Sequence, residues 1–129
     1  MLAAQGRSHP LAALAPVCTL ADVGAVRRAV AEVRISDAVR RYIVDLVGAT
    51  RARGAIRLGA SPRASLALQR LSQALALIDG EAFVTPDHVR EIAVPALAHR
   101  VTLDSHAQFS GTSSEQVVAD TLREVPLPA

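Results

Sequence analysis

The stretch Gly59-Ala-Ser-Pro-Arg-Ala-Ser-Leu-Ala-Leu68 contains the start of the most clearly specified helix in this chain. Ser61 is a favoured N-cap residue, and Pro62 takes the first helical position, where its missing N–H costs nothing. Gly80 marks the end of the pattern. The sequence predicts one helix between them, with an apolar face at helical spacing formed by Ala64, Leu68, Leu71, Leu75 and Ile78.

Three other helices are predicted from the same kinds of signal. Thr19, with Asp22 three residues later, indicates a capping box for a helix over about 20–33. Ser36 and Thr85 are the predicted N-caps of two more, and Gly54 is expected to end the first of these. The expected buried positions are Val23, Val26 and Val30 in the first helix, Val39, Ile43, Leu46 and Val47 in the helix after Ser36, and Val84, Val89, Ile92, Ala93, Ala96 and Leu97 in or beside the helix after Thr85.

The remaining segments are predicted as loops and a final helix. Residues 54–60 lie in a glycine-bracketed segment and residues 102–113 are polar, so both are expected to be loops. Thr112 and Glu115 indicate a capping box for the last helix. Pro95 removes a backbone donor, so it should kink or split the helix that contains it. About five helices and no strand predict an all-α fold, a small helical bundle.

Composition agrees with one helical domain. The chain has 129 residues, 50% of them hydrophobic and only 2% aromatic, so its core must be aliphatic. The net charge is only +2, and all 14 basic residues are arginine. The absence of lysine is explained either by a composition bias or by a use of arginine in binding phosphates or carboxylates.

The N-terminal region and the single cysteine bear on where the chain works. Residues 1–18 contain scattered prolines and resemble an extended linker, with the helical domain following over 19–129. No apolar run is long enough to cross a bilayer, and no signal peptide is evident. Cys18 cannot form an intrachain disulfide, which fits a reducing compartment. These features predict a cytoplasmic location and no contact with a membrane.

No complete catalytic site is evident. A phosphate-binding loop of the G-x-x-x-x-G-K-[ST] type requires lysine, which is absent. His9, His88, His99 and His106 lack the spacing of zinc ligands, so no metal site is predicted. Cys18 has no adjacent base and is expected to be either a buried thiol or one that is merely tolerated.

Arg63 is the strongest candidate for a binding residue. It falls in the first turn of its helix, where unpaired N–H groups already favour an anion such as phosphate. A cation there opposes helix stability, and such a conflict is typical of a functional residue. The alternatives are an arginine that only contacts solvent or one paired with a nearby carboxylate.

Several motifs, in order and spacing, resemble the C-terminal lid of MoxR-type AAA+ ATPases over about residues 9–129. The most specific of them surrounds Arg63. The full set is Val33-Arg-Ile-Ser36, Tyr42-Ile43-Val44, Thr50-Arg51, Leu58-Gly-Ala-Ser-Pro-Arg-Ala64, Asp79-Gly80, Val84-Thr-Pro-Asp87, Ala98-His-Arg100 and Val125-Pro126.

The resemblance implies a role for Arg63 as sensor 2, the arginine that reaches from the lid to the phosphates of ATP. It also implies nucleotide contacts for Gly59 and Ser61. An upstream α/β domain, absent from this chain, would bind ATP and Mg²⁺, and this chain by itself would bind neither tightly. The implied partners are that domain, neighbouring subunits of a ring and an unidentified client protein. The chain is then expected to be a fragment of an ATP hydrolase with chaperone-like activity.

Other interpretations remain open. The chain could act alone as a helical protein- or DNA-binding module, although the scatter of its arginines argues against nucleic acid as a partner. A reading frame that continues upstream into a phosphate-loop domain would favour the ATPase lid over the binding module. Arg51 and Arg53 could contact another domain or subunit, or simply favour a helix C-terminus. His99 and Arg100 could belong to an interface or to a C-terminal helix cap.

Overall fold

A computed structural model describes residues 14–128, which contain six α-helices, one 3-10 turn and a two-stranded sheet. The predicted fold class, a small and mainly helical bundle, is confirmed. Most of the predicted linker over residues 1–18 lies outside the described residues. The elements are α1 (Leu20–Glu32), α2 (Asp37–Ala52), β1 (Ile56–Leu58), α3 (Pro62–Ile78), α4 (Pro86–Leu97), the 3-10 turn (Ala98–Arg100), β2 (Thr102–Leu103), α5 (Ser105–Phe109) and α6 (Ser114–Glu124).

Helix starts follow the sequence closely where a polar side chain caps them. The Thr19–Asp22 capping box is present, and the Thr19 N–H donates to the Asp22 carboxylate at 2.8 Å. Hydrogen bonds from the Thr19 backbone and side chain lower the pKa of Asp22. Ser36 and Thr85 cap α2 and α4 as predicted. These interactions are local in sequence, which is why they could be predicted.

The predicted start of the last helix is wrong by one residue. Ser113 is the N-cap of α6, and its hydroxyl accepts from the Gln116 N–H at 3.1 Å. The Thr112 N–H donates to the Ala107 carbonyl oxygen at 3.1 Å and thereby closes the turn after α5. Thr112 therefore belongs to that turn and does not form the predicted capping box.

Both segments predicted as loops contain regular structure. β1 lies within 54–60, whereas β2 and α5 lie within 102–113. The strands pair antiparallel, with Ile56 opposite Leu103, and both of these side chains are buried. Elements of two to five residues are too short to show a hydrophobic period, so the sequence gives no sign of them.

The main core forms where α3 packs against α2 and α4, and α6 covers the other side of α2 and α4. Its largest fully buried apolar side chains come from these four helices: Leu46, Leu68, Leu97, Val47, Val89 and Val118. The buried positions of α3 are Ala64, Leu68, Ser72, Gln73 and Ala76. Small residues on this face let α4 approach closely.

Two predicted apolar faces are only partly buried. In α1, no residue is buried, and Val23 and Val26 are 45% and 57% exposed. In α3, Leu71 and Ile78 are 41% and 80% exposed. Helical spacing identifies an apolar side of a helix but does not say how much of it the rest of the chain covers.

The connection between α3 and α4 is fixed at several points. The Gly80 and Glu81 N–H groups donate to the Leu77 and Ala76 carbonyl oxygens, which is a Schellman motif. Gly80 has φ +77°, so it ends α3 as predicted. Beyond the loop, α4 continues through Pro95 to Leu97, so the helix is not split at that proline. The alternative outcome, a kink at Pro95, stays a prediction.

Replacing Gly80 tests this helix end. Gly80→Ala should lower the free energy of unfolding by about 1–2 kcal/mol, because a Cβ disfavours positive φ. Gly54→Ala is the matched control: α2 ends at Ala52 with Arg53 as its C-cap, Gly54 is not in the left-handed region, and a Cβ there meets nothing within 4 Å. Urea unfolding of both variants should show a loss only for Gly80→Ala. Equal losses would contradict the assignment.

Candidate functional site

The candidate site is built on the first turn of α3. Ser61 precedes the helix in an extended conformation, and its side chain makes no capping hydrogen bond. The N-cap side chains of the other five α-helices among residues 14–128 all accept one. At α3 the Ala64 N–H donates instead to the Ser61 carbonyl oxygen at 2.8 Å. The Ser61 hydroxyl is therefore available to a group outside the helix.

Arg63 lies in the same turn, and its side chain is exposed. It forms no ion pair within the part of the chain that the structure describes, so the predicted alternative of a carboxylate partner is not observed. Because Arg63 is in the first turn, its backbone N–H has no intrahelical carbonyl acceptor. A guanidinium beside the positive end of a helix dipole is a suitable arrangement for an anion.

Gly59 is accounted for by packing. A Cβ added at Gly59 would lie 2.6 Å from Cγ and 2.7 Å from Cα of Arg51, which is too close for any other residue without movement of the backbone. The loop before α3 therefore lies directly against the last turn of α2. The sequence predicted a nucleotide contact at Gly59, and this contact stays a prediction.

Ala60 is held by two hydrogen bonds to that same turn of α2. Its N–H donates to Oγ1 of Thr50 at 3.0 Å, and its carbonyl oxygen accepts from Nη1 of Arg51 at 2.8 Å. The Thr50 hydroxyl in turn donates to the Val47 carbonyl oxygen at 2.7 Å. Thr50 and Ala60 are completely buried. We call Thr50, Arg51, Gly59 and Ala60 the α2–α3 clamp.

Arg51 and Arg53 both bind within the domain. Arg53 forms an ion pair with Glu124 at 2.9 Å and so joins the end of α2 to α6. Arg51 contacts Ala60 of the clamp. Two alternatives were predicted for these arginines: a contact with another domain or subunit, or a stabilising interaction of the cation with a helix C-terminus. The sequence could not identify their partners, which lie nine and 71 residues away.

The histidines and the cysteine do not form a site in the described residues. His99 Nδ1 lies 3.0 Å from the Pro95 carbonyl oxygen, as the predicted C-terminal cap requires, while Arg100 is exposed. His88 is buried; its Nδ1 accepts from the Thr85 N–H, and Nε2 lies 3.4 Å from the Asp79 carboxylate. His88 thus joins the ends of α3 and α4.

Cys18 is exposed, and His9 lies outside the described residues. Within residues 14–128, no group of three or more His, Cys, Asp or Glu side chains could hold a metal ion.

Residues 48–121 match the model of the AAA lid domain family. The chain belongs to this family. Over 128 residues it is 37% identical to the protein YeaC of Bacillus subtilis, a match that covers 99% of this chain and 40% of YeaC. Over 96 residues it is 35% identical to Chaperone MoxR1 of Mycobacterium tuberculosis, covering 67% of this chain and 26% of that protein.

Two further similarities support a lid of the MoxR type. The protein MoxR of Paracoccus denitrificans is 37% identical over 81 residues, covering 53% of this lid and 24% of MoxR. A crystal structure of a protein from Cytophaga hutchinsonii, assigned as an ATPase, superposes with a TM-score of 0.79 at 32% identity. That match covers 84% of the lid and 36% of the longer chain. The lid spans less than half the length of each of these relatives.

A second arginine-containing surface of the described residues is a groove of about 980 Å³ between α1 and α3. Its arginines come from three helices and one connecting segment, and they are Arg27, Arg34, Arg40 and Arg70. Arg40 is already paired with Asp37 at 2.7 Å. This scatter differs from a DNA-recognition helix, which presents its contacts from one element. Among the described residues, no helix has the length and apolar character needed to span a membrane.

Thr50 offers a direct test of the clamp. Thr50→Val keeps the shape of the side chain but leaves the buried Ala60 N–H without an acceptor, which should cost about 1–3 kcal/mol of unfolding free energy. Thr50→Ser retains the hydroxyl and loses only a methyl group, which should cost about 1 kcal/mol. Urea unfolding of the lid measures both values. Wild-type stability in Thr50→Val would contradict the contribution assigned to this hydrogen bond.

Proposed function

We propose that this lid closes over ATP bound by an upstream α/β nucleotide-binding domain, and that Arg63 reaches the phosphates as sensor 2. The observation that carries the proposal is the exposed Arg63 in a helix turn whose N-cap side chain is unused. The similarity to MoxR proteins and to an assigned ATPase supports an ATP hydrolase as the whole protein. Its lid supplies one part of the active site.

The residues at the start of α3 suit a phosphate. Arg63 provides paired N–H donors and a permanent positive charge, and the Ser61 hydroxyl can donate one further hydrogen bond. Gly59 keeps the preceding loop flat against α2. In this proposal Gly59 and Ser61 lie at the nucleotide with Arg63, while the upstream domain provides the phosphate loop and the ligands of Mg²⁺.

The proposed contribution of Arg63 to turnover is electrostatic. Negative charge moves on the phosphate oxygens during phosphoryl transfer, and a fixed cation stabilises that charge. An interaction that is stronger in the transition state than in bound ATP raises kcat. Lid closure brings Arg63 to the phosphates and excludes water, and lid opening lets the products leave.

The partners follow from the same proposal. The lid packs on its own nucleotide-binding domain and against neighbouring subunits of a ring, so that the state of the nucleotide changes the arrangement of subunits. The name of Chaperone MoxR1 supports a chaperone-like role. We propose that this role is the assembly or activation of protein complexes. We also propose that the protein works in the cytoplasm and acts on a client protein that is not identified.

Arg63→Ala in the protein that carries both domains should lower kcat by about tenfold to a few hundredfold, since one charged contact to the transition state is lost. Arg63→Lys should restore little activity, because one ammonium cannot reproduce the planar guanidinium. The melting temperature should hardly change, since an exposed arginine is replaced by a good helix former. Steady-state ATP hydrolysis and thermal melts of the same preparations measure both effects.

The matched control is Arg70→Ala, which removes another exposed arginine of the same helix. It should retain wild-type turnover. Wild-type turnover in Arg63→Ala would refute the sensor role. A large drop in the melting temperature of Arg63→Ala would instead assign this arginine to the stability of the fold.

The isolated 129-residue chain should neither hydrolyse ATP nor bind it tightly. One arginine and one helix terminus provide only part of a phosphate site, and the phosphate loop and the Mg²⁺ ligands belong to the other domain. Titration calorimetry with ATP, in buffers with and without Mg²⁺, should detect no micromolar binding. A micromolar dissociation constant in either buffer would show that the lid holds a complete site.

A further inference from the structure

We propose that Arg51 is a positioning residue for Arg63: it fixes the start of α3 from α2 and leaves the N-cap side chain of α3 unused. The inference rests on the proposed function of Arg63. Arg51 itself does not contact the nucleotide in this proposal. It acts through the backbone of Ala60 in the α2–α3 clamp, and Ala60 lies three residues before Arg63.

The N-cap of α3 lacks the usual side-chain hydrogen bond. A serine at an N-cap normally fixes the first turn of its helix by accepting a hydrogen bond from the third N–H. Ser61 makes no such bond, although it has the extended conformation of a cap residue. A helix start that lacks this bond needs another constraint if its side chains are to keep a fixed position.

The α2–α3 clamp attaches the segment before α3 to the last turn of α2. Arg51 Nη1 donates to the Ala60 carbonyl oxygen, and Thr50 accepts from the N–H of the same residue. Both polar groups of Ala60 are thus bound to consecutive residues of α2. Gly59 lies directly against the backbone of Arg51, because a Cβ at Gly59 would be only 2.7 Å from Cα of Arg51. The segment that carries Arg63 is therefore fixed by α2.

In this proposal the clamp and the side chains at the start of α3 have separate roles. A capped Ser61 would hold the helix start but would use its hydroxyl to do so. With α2 holding the backbone, the hydroxyl of Ser61 and the side chain of Arg63 both remain free for phosphate. The hydrogen bond from Arg51 therefore explains why Ser61 can leave its capping position unused.

The experiment uses the protein that carries both domains and combines two measurements. Hydrogen exchange, followed by mass spectrometry of a peptide covering residues 57–66, measures in the absence of ATP how firmly the clamp holds this segment. A double-mutant cycle of Arg51→Ala with Arg63→Ala reports turnover. Thr50→Val breaks the other half of the clamp with no change of charge. Arg53→Ala is the matched control, because it breaks a bridge from the same end of α2 to α6.

We expect faster exchange of the peptide in Arg51→Ala and Thr50→Val but not in Arg53→Ala. Arg51→Ala should lower kcat by about tenfold to a hundredfold, as expected for a misplaced catalytic group. The same change in an Arg63→Ala background should have almost no further effect, since it acts through Arg63. Thr50→Val should behave like Arg51→Ala in both backgrounds.

Unchanged exchange in Arg51→Ala would overturn the proposal, and so would losses in kcat that multiply in the double variant. A loss of kcat in Arg51→Ala but not in Thr50→Val would assign Arg51 a purely electrostatic role and would also overturn it. Wild-type turnover in Arg63→Ala alone would refute the proposed function and, with it, the effect of Arg51 on turnover. The exchange result would still decide whether Arg51 holds the segment.

Discussion

The N–H and the carbonyl oxygen of Ala60 are both hydrogen-bonded to the last turn of α2, and the placement of α3 depends on these two bonds. Ala60 is fully buried, so neither group could turn to water if its partner were lost. Because α3 packs against α1, α2 and α4, this contact also fixes the centre of the bundle. The exposed end of α3 and the core of the lid therefore share one point of attachment.

The opposite end of α3 is fixed by different means. Gly80 allows the chain to reverse, and His88 joins Asp79 to the first turn of α4. The Gln73 amide donates to the Val33 carbonyl oxygen at 2.7 Å and holds the segment after α1 against α3. Contacts at both ends and in the middle therefore fix the position of α3 within the lid.

The sequence predicted those parts of this arrangement that depend on residues close together in the chain. Thr19, Ser36 and Thr85 cap helices within three residues of themselves, so their types and spacing were sufficient. Arg63 could be placed in a first turn by the same reasoning. The antiparallel pair of β1 and β2 joins residues more than 40 positions apart and is too short to show a period.

The clamp could not be predicted for a related reason. Arg51 and Gly59 are visible in the sequence as a cation near a helix end and a glycine in a loop. Their contact depends on how α2 and α3 pack, and the acceptor of Arg51 is a backbone carbonyl, which no residue type identifies. The exposed valines of α1 were misassigned because helical spacing cannot show whether a neighbouring element is present to cover them.

A structure of the two-domain protein with a non-hydrolysable ATP analogue would show directly whether Arg63 contacts the phosphates, as we propose. We expect the Arg63 guanidinium to lie within about 3 Å of a phosphate oxygen, at hydrogen-bonding distance. The Thr50 and Arg51 bonds to Ala60 should be intact in that structure. A closed lid in which Arg63 faces solvent, with no residue of the first turn of α3 contacting the nucleotide, would contradict the proposal.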